Sequence, residues 1–117
     1  MFNHTGLSCD AFHNTGGSTY AGVLSGSGDY DVQPCGTYYQ ANVSGTHTGA
    51  LSANFGTDYD LYLFKWNGSA WAMVAYSAGS GSFEQISYSG TAGYYYWEIY
   101  SYSGSGNYSF TMSHPGS

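Results

Sequence analysis

The feature that most constrains this 117-residue chain is its punctuation. Turn-forming residues recur about every ten positions. They are Gly16-Gly17, Ser25-Gly26-Ser27-Gly28, Pro34-Cys35-Gly36, Ser44-Gly45, Gly56-Thr57, Asn67-Gly68, Gly79-Ser80-Gly81, Ser89-Gly90, Gly93 and Ser103-Gly104-Ser105-Gly106. Between them lie short runs rich in Tyr, Val, Ile, Leu, Phe, Thr and Trp, and no segment reads as a helix of any length. Short strands at even spacing predict an all-β fold. The expectation is a jelly-roll-like antiparallel β-sandwich of about eight strands, near 19–25, 37–43, 47–54, 60–66, 70–77, 83–88, 93–102 and 107–113. Asn67-Gly68 between Trp66 and Trp71 is a strong hairpin signal, because both residues tolerate positive φ. Residues 1–18 read as an irregular leader and 19–117 as a single β-sandwich domain. An immunoglobulin-type sandwich is the alternative, but Cys9 lies too far before the first good strand to supply its inter-sheet disulfide.

Composition narrows function. Lys65 is the single cation against seven acidic residues, for a net charge of −6. Duplex nucleic acid and anionic membranes are both recognised through clustered cations, so neither is an expected partner. No apolar run is long enough to span a bilayer. The start, Met1-Phe2-Asn3-His4, lacks a signal peptide's basic and apolar regions, which suggests a mature piece or a domain of a longer precursor. Cys9 and Cys35 read as one disulfide in an oxidising compartment or as two buried thiols. The bridge would close a loop of about 25 residues and contribute about 3 kcal/mol. A secreted, extracellular location is expected.

Alternation assigns faces. In 93–102, Tyr95, Trp97 and Ile99 share one side and Tyr94, Tyr96, Glu98, Tyr100 and Tyr102 the other. The side with Ile99 is the expected core, since an unpaired Glu98 is costly to bury. Leu61 and Leu63 point inward by the same reasoning, with Tyr62, Phe64 and Trp66 opposite them. The outer set becomes a tyrosine row beside a carboxylate. Fourteen Tyr, six Phe and three Trp exceed what so small a core consumes. Tyrosine offers a flat apolar body with a polar tip, suited to sugar rings or to the Pro-rich rings of collagen. Decoration of an exposed strand by a residue of high β propensity is the competing reading.

Asp29-Tyr30-Asp31 and Asp58-Tyr59-Asp60 repeat one pattern at two expected strand starts. Alternate residues on a strand point the same way, so each pair converges two carboxylates. Asp29, Asp31, Asp58 and Asp60 are therefore candidate calcium ligands, with turn capping as the alternative. His4, His13, His47 and His114 are scattered and read as solvated or hydrogen-bonded residues. No Gly-x-Ser-x-Gly elbow is present, and so small a domain rarely encloses the two-carboxylate cleft of a glycosidase. No enzymatic activity is expected.

The run Gly56-Thr57-Asp58-Tyr59-Asp60-Leu61-Tyr62-Leu63-Phe64, with Glu84-Gln85-Ile86-Ser87-Tyr88, Gly93-Tyr94-Tyr95-Tyr96 and Ser103-Gly104-Ser105-Gly106-Asn107-Tyr108, resembles the bacterial pre-peptidase C-terminal domain. The resemblance covers roughly residues 20–113. It implies a small jelly-roll sandwich appended to a secreted bacterial hydrolase, often a protease, and similar in fold to collagenase collagen-binding domains. The cysteine pair and the His-containing leader depart from that family's pattern. The combined expectation is a non-catalytic accessory domain, monomeric or weakly dimeric, attached in cis to a parent hydrolase. It would bind an insoluble polymer, collagen or polysaccharide, through surface tyrosines. The alternatives are a processing, secretion or folding appendage and a calcium-stabilised spacer.

Overall fold

The computed structural model describes residues 12–14 and 17–116, with side chains from Ser18 onward. Among the described residues, ten antiparallel strands form two five-stranded sheets. The strands are β1 (Phe12–Asn14), β2 (Gly17–Leu24), β3 (Tyr30–Gln33), β4 (Tyr39–Ala41), β5 (Gly45–Ala53), β6 (Asp58–Trp66), β7 (Trp71–Ser77), β8 (Phe83–Gly90), β9 (Gly93–Ser103) and β10 (Gly106–Ser113). The first sheet runs β1-β2-β10-β5-β8. The second runs β3-β9-β6-β7, with β4 also paired to β9. Among the described residues there is no helix long and apolar enough to cross a membrane.

Two strands were not expected. Tyr30–Gln33 is a strand rather than a strand start, because each of its residues pairs with β9, from Tyr30 with Tyr100 to Gln33 with Trp97. Its inward positions carry Asp31 and Gln33, so no apolar alternation marks it in the sequence. Within the expected leader, Phe12–Asn14 pairs with β2, which itself begins at Gly17. The boundary expected at 18/19 therefore falls inside a strand. Asn67-Gly68 does make the β6–β7 hairpin, over residues 67–70. Gly68 has φ 101°, and the Asn67 side-chain oxygen accepts the Ser69 and Ala70 amides.

The core forms as alternation requires. Tyr95, Trp97 and Ile99 of β9, Leu61 and Leu63 of β6, Leu51 of β5 and Phe110 of β10 are all fully buried between the sheets. Gly49 lies between His47 and Leu51 on the inward side of β5, where the edge of the Trp97 ring fills the space a side chain would take. A Cβ at Gly49 would sit 2.7 Å from Trp97 and 3.1 Å from Phe110. Gly49→Ala is thus expected to lower stability by about 2 kcal/mol through overpacking. A urea midpoint unchanged from wild type would show that the two rings give way freely.

Candidate functional site

Two concentrations of chemistry occupy the second sheet and its margin. The first is aromatic. The hairpin register places Trp66 opposite Trp71, with ring centroids 5.4 Å apart. Trp71 also meets Tyr96 edge-on at 4.8 Å and Tyr38 at 5.7 Å. Tyr38 meets Tyr94 edge-on at 5.5 Å, and Phe64 stacks on Tyr96 at 4.9 Å. The outward side chains of β6, β7 and β9 thus form a continuous ring surface, and such edge-to-face contacts hold aromatic groups in fixed orientation.

Trp71 stands between two concavities. One, of about 380 Å³, is lined by Tyr38, Trp66, Trp71 and Tyr94. The other, of about 450 Å³, is lined by Tyr30, Val32, Trp71, Tyr96, Glu98 and Tyr100, with Gly28 at its margin. Tyr38, Trp66 and Tyr94 are exposed, so ring surface remains open to a ligand. Burial raises the Glu98 carboxyl above the usual carboxylate range.

The structure redraws the expected tyrosine row. Tyr94, Tyr96, Glu98, Tyr100 and Tyr102 do lie opposite the core side of β9, but they are not equally open. Tyr96 is buried, because Phe64 stacks on its ring and Trp71 packs against it edge-on. Tyr94 belongs to one concavity and Tyr100 with Glu98 to the other, while Tyr102 is exposed and lines neither. Trp66, Trp71, Tyr38 and Tyr30 line these concavities and were not among the expected candidates. The Asn67-Gly68 turn was a partial signal for the two Trp: it puts them in one hairpin, and the four-residue loop 67–70 sets them opposite each other.

The second concentration is acidic. Carboxylate oxygens of Asp58, Asp60 and Glu84 lie within 4.8 Å of one another. Asp58 and Asp60 start β6, and Glu84 reaches the same place from β8 of the other sheet. Asp60 and Glu84 are buried. Ser77 donates to Glu84 Oε1, and Tyr62 donates a long bond of 3.4 Å to Asp60. Burial, with Asp58 and Glu84 close by, raises the Asp60 carboxyl to about 6. Glu84 was not anticipated in this cluster, since its approach depends on the packing of two sheets.

Asp29 and Asp31 do not join this cluster. Asp29 accepts the Ser25 amide and hydroxyl and the Tyr30 amide, which is the turn-capping role. Asp31 points between the sheets and accepts a hydrogen bond from the Tyr108 hydroxyl at 2.5 Å. That hydroxyl in turn accepts from the Gln33 amide at 2.9 Å, and the Gln33 side-chain oxygen accepts the Cys35 backbone amide. Cys35 is not a free thiol. Its expected partner Cys9 lies outside the described residues, as do His4 and the side chain of His13. His47 is fully buried and His114 stacks on Tyr39.

No family model matches the chain. Its fold is nonetheless that of a pre-peptidase C-terminal-like β-sandwich. It superposes on the pre-peptidase C-terminal domain of a collagenase from Bacillus anthracis with a TM-score of 0.67 at 20% identity, covering 81% of this chain and 87% of that one. A mitogen derived from Yersinia pseudotuberculosis gives 0.65 at 18% identity, with 86% and 87% covered. A periplasmic inhibitor of g-type lysozyme from Aeromonas hydrophila gives 0.55 at 14% identity, with 83% and 84% covered. At these identities the likeness is one of fold.

Proposed function

We propose that the chain is a non-catalytic accessory domain of a secreted hydrolase and that it binds an uncharged polysaccharide along the aromatic face around Trp71. One observation carries this reading: open rings of Tyr38, Trp66 and Tyr94 line a concavity on one side of Trp71, while Tyr100 and Glu98 line a second on its other side. Such rings stack on the apolar faces of sugars, and the Tyr hydroxyls and Glu98 supply hydrogen bonds to sugar hydroxyls. A chain with one cation and a weakly charged surface is suited to a neutral ligand. The fold supports the accessory role, since a collagenase carries a domain of this shape. An oxidised Cys35 supports a secreted setting.

The test is retention of the purified domain on cellulose, chitin, starch and collagen. Wild type is expected to bind one polysaccharide, and Trp71→Ala and Tyr38→Ala are each expected to weaken that binding about tenfold or more. Tyr38 is 48% exposed and fills no part of the core, so its loss separates binding from folding. Retention on collagen alone would replace the polysaccharide with a protein ligand. A folded domain retained on nothing would move the reading to a processing or folding appendage.

A further inference from the structure

We propose that Asp58, Asp60 and Glu84 form a calcium site that ties the start of β6 to the edge strand β8, independently of the polymer-binding reading. The ligand oxygens lie within 4.8 Å of one another. That spacing fits a cation that takes oxygens at roughly 2.3–2.6 Å. The second observation is the state of the oxygens themselves. Glu84 is 4% exposed, and its Oε2 is buried without a hydrogen-bond donor; the buried Oδ1 of Asp58 likewise has none. Buried carboxylate oxygens normally have partners, and three acids at one place repel one another as well.

A proton held by one of the three acids would remove one negative charge and still leave two carboxylates together. An internal cation is not at hand either. Lys65 is the single Lys or Arg in the chain, and its amine is bonded to the Thr91 hydroxyl and lies 5.5 Å from the Tyr95 ring centre. A divalent ion supplies both the charge and the coordination. The three carboxylates offer up to six oxygens, and water would complete the roughly six to eight that calcium takes. Calcium accepts such a mixed and irregular oxygen set, whereas magnesium demands near-octahedral geometry.

The experiment is thermal unfolding of EDTA-stripped protein at pH 7.5 against calcium chloride or magnesium chloride, with terbium luminescence as a direct probe of binding. Calcium is expected to raise the Tm saturably by about 5–10 °C. Terbium is expected to be sensitised through Tyr62, which is hydrogen-bonded to Asp60, and displaced by calcium. Glu84→Gln keeps an acceptor for Ser77 and removes one negative charge. It is expected to raise the metal-free Tm slightly and to abolish the calcium shift, an opposition that a purely structural role for Glu84 would not produce. A calcium titration that leaves both Tm and terbium emission flat would overturn the proposal. So would a Glu84→Gln variant with the full wild-type shift, or a magnesium shift equal to that of calcium.

Discussion

Tyr108→Phe is expected to destabilise the domain by about 2 kcal/mol, although it deletes a single oxygen and leaves the ring in place. That oxygen connects the two sheets. It donates to Asp31 at 2.5 Å and accepts from Gln33 at 2.9 Å, between side chains that are 1% and 0% exposed. Burial, followed by the hydrogen bond to Asp31, pushes the Tyr108 hydroxyl well above the usual phenol range, so it remains the donor. The variant takes that donor from a buried carboxylate and that acceptor from the Gln33 amide, and hydrogen bonds to charged groups are the expensive ones to lose. Urea denaturation of the two proteins measures the difference. A loss under about 0.5 kcal/mol would mean that water or another group takes the place of the hydroxyl.

The second large effect is a pH dependence centred on His47. Its ring is fully buried, lies 4.1 Å from the Tyr95 ring and shares a 2.9 Å hydrogen bond with the Tyr39 hydroxyl, while Nε2 has no partner. Tyr88 also packs near it. Burial, then the positive fields of His114 and Lys65, lowers its pKa from 6.5 to about 4. A histidine held neutral in the fold binds its proton more readily when unfolded. Its contribution is therefore intact above pH 6.5 and is lost as pH falls from 6.5 toward 4, below which the penalty is constant. The loss should reach about 2 kcal/mol across that window, allowing for relaxation of the site on protonation. His47→Gln keeps a polar group opposite Tyr39 but cannot titrate. The acidic residues contribute to both proteins alike, so the wild-type stability curve should fall more steeply than the variant's between pH 6.5 and 4. Parallel curves would refute the assignment.

The fold was legible because its signals are local. Turn residues at regular spacing and the alternation of Tyr95, Trp97 and Ile99 need no knowledge of the partner sheet. The inward direction of Leu61 and Leu63 followed from the same rule. The strand at Tyr30–Gln33 escaped because its inward residues, Asp31 and Gln33, are polar. They are admissible there only because Tyr108, 77 positions from Asp31, meets both. The aromatic face proposed for binding was legible by side but not by depth. Alternation places Tyr96 outward, yet Phe64 from adjacent β6 and Trp71 from β7 beyond it bury it, and nothing within β9 announces them. Pairing Asp58 with Asp60 needed only a strand's period of two. Bringing Glu84 to them requires two sheets to be packed, and separating them from Asp29 and Asp31 requires knowing that one caps a turn and the other points inward.

The division of one sheet edge between two strands has a consequence for how copies of this chain meet. β3 pairs with residues 97–100 of β9 and β4 with residues 93–95, and a turn through Pro34 and Thr37 interrupts the margin between them. An unbroken row of free amides and carbonyls invites a neighbouring molecule to extend the sheet, and many proteins deter this with edge lysines. With a single lysine, this chain has no such recourse, and a stepped border serves instead. At the opposite margin of this sheet, β7 carries a one-residue register shift at Val74, but Met73 and Tyr76 are exposed beside it. Those two apolar side chains make β7 the more adhesive of the sheet's two margins, and Met73→Lys should reduce self-association there under crowded conditions.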